Sequence, residues 1–118
     1  MVKLYIENNK VIAILEGELG IDYEVPSDFK KKFLHGTSYM IKNGEVVEDV
    51  KMNKIKELNN IIFEKESFLY STSKHFQKAQ EYLILDKDIP TELKEIIKKR
   101  QRVEVEIEKL TEELEELL

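Results

Sequence analysis

Hydrophobic and polar residues alternate from the start of the chain: Val2, Leu4 and Ile6 are interleaved with Lys3, Tyr5 and Glu7. A period of two predicts a half-buried strand. Asn8-Asn9-Lys10 predicts a turn, since asparagine tolerates positive φ better than other non-glycine residues, and Val11-Ile12-Ala13-Ile14-Leu15 predicts the returning strand. Residues 17–20 read as a loop. A short helix follows, with Ser27 as N-cap, Phe29 and Phe33 on one face and Gly36 at the C′ position. The runs Ser38-Tyr39-Met40-Ile41-Lys42 and Glu45-Val46-Val47-Glu48 flank Asn43-Gly44. Asn-Gly between two such runs is a hairpin signal, because a type I′ turn needs positive φ twice.

Beyond residue 49 the pattern changes. All four glycines (17, 20, 36 and 44) lie before that point, and Pro90 is the one proline after it. Few helix breakers remain, so long helices are predicted. Over 50–85 an apolar residue recurs every seven positions, at Ile55, Ile62, Leu69, Phe76 and Leu83, with Leu58 and Ala79 between them. Lys65 and Thr72 interrupt that stripe, and Ser71-Thr72-Ser73 is a candidate kink. After Asp86-Lys87-Asp88-Ile89-Pro90, with Thr91 as N-cap, a second helix is predicted over 91–118. Its residues Leu93, Ile96, Arg100, Val103, Ile107, Leu110, Leu114 and Leu117 follow a strict three-four spacing. Arg100 is the one polar member of this seam. The fold class is therefore α+β: a β-hairpin module with one short helix over 1–49, then two long helices over 50–118 forming a coiled-coil-like arm.

The composition narrows the function. Of 118 residues, 42% are apolar and 36% charged, against averages of roughly 45–50% and about 25%. A net charge of −5 disfavours general binding of nucleic acid or of an anionic membrane. With no cysteine and two histidines, thiol catalysis, disulfides and histidine- or thiolate-based metal sites are not expected. The longest apolar runs, 11–15 and 82–85, are far shorter than the roughly 20 residues of a bilayer span. The first residues lack a signal-peptide pattern, and a cytoplasmic protein is expected.

No phosphate-binding glycine loop or nucleophile elbow is present. His35 reads as a helix C-cap and His75 as an interface residue. Asp86-x-Asp88 lacks the glycine and later glutamate of a calcium loop. Lys30-Lys31-Lys32 and Lys98-Lys99-Arg100 read as solvated faces rather than phosphate sites. An enzyme, a cofactor and a metal are not expected. Phe63 and Tyr70 lie seven apart and off the main stripe, forming a second apolar strip suited either to packing or to a partner. The expected interface residues are Phe63, Tyr70, Phe76, Arg100, Val103, Ile107, Leu110 and Leu114.

Charge is segregated along the last helix. Residues 94–102 carry Lys94, Lys98, Lys99, Arg100 and Arg102 against Glu95, whereas 104–118 carry seven glutamates against Lys109. An antiparallel copy would set basic half beside acidic half. Arg100 is expected to reach a carboxylate, from Glu104 to Glu108 of such a copy or Glu66 of the first long helix. On that reading Arg100→Leu raises stability and broadens the distribution of oligomers. A homo-oligomer held by its helices is expected.

Three stretches carry a family resemblance: Tyr5-Ile6-Glu7-Asn8-Asn9-Lys10-Val11-Ile12, Val25-Pro26-Ser27-Asp28-Phe29 and Tyr39-Met40-Ile41-Lys42-Asn43-Gly44-Glu45-Val46-Val47. Their order resembles small tail-associated proteins of tailed bacteriophages of low-GC Gram-positive hosts. The resemblance implies a non-enzymatic structural part or assembly chaperone, working on itself or on a phage structural protein in the host cytoplasm. The alternative is a small phage-encoded inhibitor that occludes a host enzyme or defence protein, its glutamate run mimicking phosphates.

Overall fold

In a computed structural model, residues 1–18 and 20–118 are described. They form β1 (Val2–Glu7), β2 (Lys10–Leu15), β3 (Ile21–Tyr23), α1 (Phe29–Leu34), β4 (Tyr39–Lys42), β5 (Glu45–Glu48), α2 (Val50–Ser71), α3 (Ser73–Ile84) and α4 (Thr91–Leu117). The chain divides into two compact units, Met1–Lys54 and Ile55–Leu118.

The first unit is a five-stranded sheet in the order β3-β1-β2-β4-β5, antiparallel throughout. Both hairpins turn as the sequence predicts. Asn8 and Asn9 have φ of 50° and 62°, and Asn43 and Gly44 have 54° and 78°. Two consecutive positive φ values match the right-handed twist of the flanking strands. Between β1 and β2 the register slips: Tyr5 pairs with Ala13 but Ile6 with Val11, leaving Ile12 as the extra residue. This bulge lets Val11 and Ile14, an odd spacing apart, sit in or against the same core while Ile12 stays exposed. β3 lies at the edge on β1 and is a strand the sequence reading passes over. The loop expected over 17–20 includes Leu19, which lies outside the described residues.

The core of this unit is Leu4, Val11, Phe29, Tyr39 and Val46. The Phe29 ring stacks on Phe33 at 5.5 Å and meets Tyr39 edge-on at 4.7 Å. α1 starts at Phe29 with Asp28 in the cap position, so Ser27 is not the N-cap. Neither position gives a side-chain cap; instead Asp28 reaches forward to Lys32 at 3.1 Å. The C-terminus is closed as expected, by Gly36 at φ 99° with paired bonds from Gly36 to the Phe33 carbonyl and from Thr37 to that of Lys32.

Tyr39 is buried, and its hydroxyl has no hydrogen-bond partner. A buried hydroxyl without a partner costs about 1–3 kcal/mol. Tyr39→Phe is therefore expected to raise the stability of this unit by about 1 kcal/mol in urea unfolding. A loss of stability would show that the hydroxyl is satisfied in solution.

Asp49, 3% exposed, ties the sheet to the start of α2. Its carboxylate accepts the Met52 N–H at 3.1 Å and pairs with Lys10. Asn53 completes the joint, accepting the Ser38 N–H at 2.7 Å and donating to the Ser38 carbonyl at 3.1 Å. Burial alone pushes the Asp49 carboxyl up; Lys10, the Met52 N–H and the charge of Lys51 outweigh it and hold the group below its usual range. A lowered folded-state value contributes stability that is full above the unfolded value near 4 and lost as the pH falls through the folded one. Asp49→Asn is expected to lower stability at pH 7 by about 1–2 kcal/mol, a figure tempered by the half-exposed Lys10. At pH 3 the gap to wild type narrows. Urea titrations at both values test this, and a gap of constant size counts against it.

Candidate interaction surface

The second unit is built of helices. The single helix expected over 50–85 is two, because α2 ends at Ser71 and α3 begins at Ser73. The cause is local. Ser67, Ser71, Thr72 and Ser73 turn their hydroxyls back onto the carbonyls of Phe63, Phe68, Phe68 and Tyr70 at 2.8–3.0 Å. Such bonds compete with the helical ladder and bend or break it. α3 ends at Ile84 with Leu85 as its cap; beyond it Asp86 adopts a φ of 53° and Lys87 donates to the Tyr82 carbonyl at 2.9 Å. α4 begins at Thr91 behind Pro90, so Thr91 is the first helical residue rather than the cap. Proline suits that boundary: its φ of −55° and ψ of 145° keep it extended, just outside the helix it precedes.

α4 runs antiparallel to α2 and α3 within the same chain. Lys65 pairs with Glu106, and further along α2 the partner on α4 moves back to Arg100. Leu58, Ala79 and Val103 are the buried residues of this unit. The stripe of every seventh residue is followed only in part. Leu69 is half-buried, Phe76 is 39% exposed and Leu83 65%. Ile55 and Ile62 are half-buried like Leu69, so the row holds along α2 and is lost only in α3, beyond the break that interrupts the helical phase.

Arg100 does not reach a carboxylate. Its guanidinium donates to the main-chain carbonyl of Leu69 and, at 2.6 Å, to the Thr72 hydroxyl, and lies 5.2 Å from the Phe76 ring centre. The reason is the break in the helix. Carbonyls of a last helical turn lack intrahelical partners, and a cation is favoured there. Beside it Lys99 lies 4.5 Å over the Phe68 ring. The Lys65 ammonium holds the Glu106 carboxyl below its usual range, with Arg102 and Lys109 adding to the effect.

The expected interface residues thus separate into two groups. Arg100 and Phe76 meet at the break, Val103 is buried further along α4, and Ile107, Leu110 and Leu114 continue half-buried on the same side of α4. Phe63 and Tyr70 stand apart from them, 70% and 84% exposed. Leu83, Ile84 and Leu85 are also exposed, at the end of α3. The sequence reading missed that tip, although its apolar run beside a charged turn was visible. Both histidines are exposed. Among the described residues no cluster of metal-ligating side chains occurs, and no helix is long and apolar enough to cross a membrane.

No family model, curated protein or solved structure matches this chain.

Proposed function

We propose that this is a non-enzymatic interaction protein, a phage tail-associated structural part or assembly chaperone that works by helical packing and self-association. The observation that carries the reading is the pair Phe63 and Tyr70. Two large aromatic side chains, one above the other on α2, are left in water while the buried residues of the helical unit are the smaller Leu58, Ala79 and Val103. Exposing them is unfavourable by roughly 25 cal/mol per Å² of apolar surface, and aromatic anchors are the side chains most often found at binding hot spots. The phage assignment is supported by the sequence resemblance alone.

The test uses the immobilised chain and the purified tail and baseplate proteins of a phage of a low-GC Gram-positive host. Capture is expected to persist at about 0.5 M salt, where the Debye length is only a few Å. It is expected to be lost in the Phe63→Ser/Tyr70→Ser variant with the helical circular dichroism intact. Capture that collapses with salt and ignores those substitutions would instead identify the glutamate run as the binding element, as for an inhibitor mimicking phosphate.

A further inference from the structure

The side of α4 that faces away from the chain's own packing carries a pattern of its own. Val103 is buried, whereas Val105 is 50% exposed, two residues and hence about 200° further round the helix. Lys94, Lys98, Gln101, Val105, Glu108 and Glu112 repeat the spacing of four and three along this outer side, and all are exposed. Val105 is the one large apolar residue exposed on α4 before its C-terminal end. A shallow depression beside it is lined by residues of α4 alone, among them Lys98, Gln101 and Lys109. On this side the face is cationic before Val105 and mostly anionic after it. Among the described residues, Lys94, Lys98, Glu108, Glu112 and Glu116 form no ion pair within the chain. Their charges are left to meet a partner.

A face that is positive on one half and negative on the other is complementary to itself when reversed. We propose that a second copy of this chain docks antiparallel on the outer side of α4, about a two-fold axis beside Val105. This inference rests on the self-association proposed above and specifies its surface. In that register Val105 meets Val105 of the second copy. Lys98 then lies opposite Glu112 and Lys94 opposite Glu116, each pair occurring twice because a two-fold contact repeats itself. Turned parallel, the same helices set Lys98 beside Lys98 and Glu112 beside Glu112. Charge therefore selects the antiparallel arrangement. Exposed ion pairs are individually weak, and the contact lies at the small end of interfaces. The dimer is expected to be in exchange, with a dissociation constant on the order of tens of micromolar.

Sedimentation equilibrium of the full chain at low salt tests it. Lys98→Glu replaces two attractions by two repulsions and is expected to raise the dissociation constant about tenfold. Adding Glu112→Lys to that variant restores it, since the two exchanged charges again face each other across the axis. The chain has no cysteine, so Val105→Cys gives a single reactive thiol. A short bis-maleimide is expected to link two such chains, and not two chains carrying Tyr70→Cys. A dimer insensitive to Lys98→Glu, or linked through Tyr70→Cys and not Val105→Cys, overturns the α4 register while leaving self-association standing. A monomer at every concentration and at low salt overturns both.

Discussion

Phe29→Ala is expected to lower the unfolding free energy of the sheet unit by about 3–5 kcal/mol. Phe29 is fully buried and in ring contact with both Phe33 and Tyr39. It is also the only buried residue of α1, a helix of six residues without a side-chain N-cap. Isolated helices shorter than about 12–15 residues are marginal in water, so α1 owes its existence to this anchor. Removing the ring leaves a cavity and releases α1 from the sheet. Near-ultraviolet circular dichroism across a urea titration should show the loss through the altered surroundings of Tyr39. A change below about 1 kcal/mol would mean that the remaining core collapses into the space.

Arg100→Leu is expected to destabilise the helical unit by about 2 kcal/mol, the opposite of what its position in an apolar seam suggests. Leucine suits the spacing, but it leaves the Leu69 carbonyl and the Thr72 hydroxyl without the guanidinium that both accept from. Hydrogen bonds to a charged group contribute about 1.5–3 kcal/mol each, partly offset here by the added apolar burial. Arg100→Lys should fall between, because an ammonium is a point charge and cannot serve two acceptors with the same planar fork. Thermal unfolding followed by far-ultraviolet circular dichroism separates the cases, and a raised melting temperature for Arg100→Leu would show that the break holds without its clamp.

Local chemistry made much of the sheet unit legible. Asn8-Asn9 and Asn43-Gly44 announced their turns because few other residues accept two positive φ values in succession. Gly36 announced the end of α1 for the same reason. The bulge at Ile12 was not legible, since a continuous apolar run hides which of its members faces inward. β3 escaped because three residues are too short for a period to show. In the helical unit, periodicity located the helices but not their partners. The polar interruptions held that information: Lys65 and Thr72 break the stripe of the first long stretch, and they meet Glu106 and Arg100. Paired antiparallel, the two helices bring each interruption to its counterpart. Reading them as defects in a seam, rather than as mates, sent Arg100 to a carboxylate. The spacing set Phe63 and Tyr70 off the main stripe but left open whether they pack or face water; they face water. The exposure of Leu83, Ile84 and Leu85 was missed, because the heptad row was carried on to Leu83 across a break that ends its phase.

The clamp on the α2–α3 break also has an order in time. The bond from Arg100 to Thr72 closes over 28 residues of chain and that to Leu69 over 31, whereas each hairpin of the sheet closes over a two-residue turn. Hairpins form within about 1–10 μs, and synthesis proceeds at about 5–20 residues per second. On the ribosome every strand of the sheet has thus been made, and has had seconds to pair, before codon 100 is read. Until then the joint at Thr72 is held only by its own hydroxyls, and α2 and α3 wait as separate rods for the last helix to lock them.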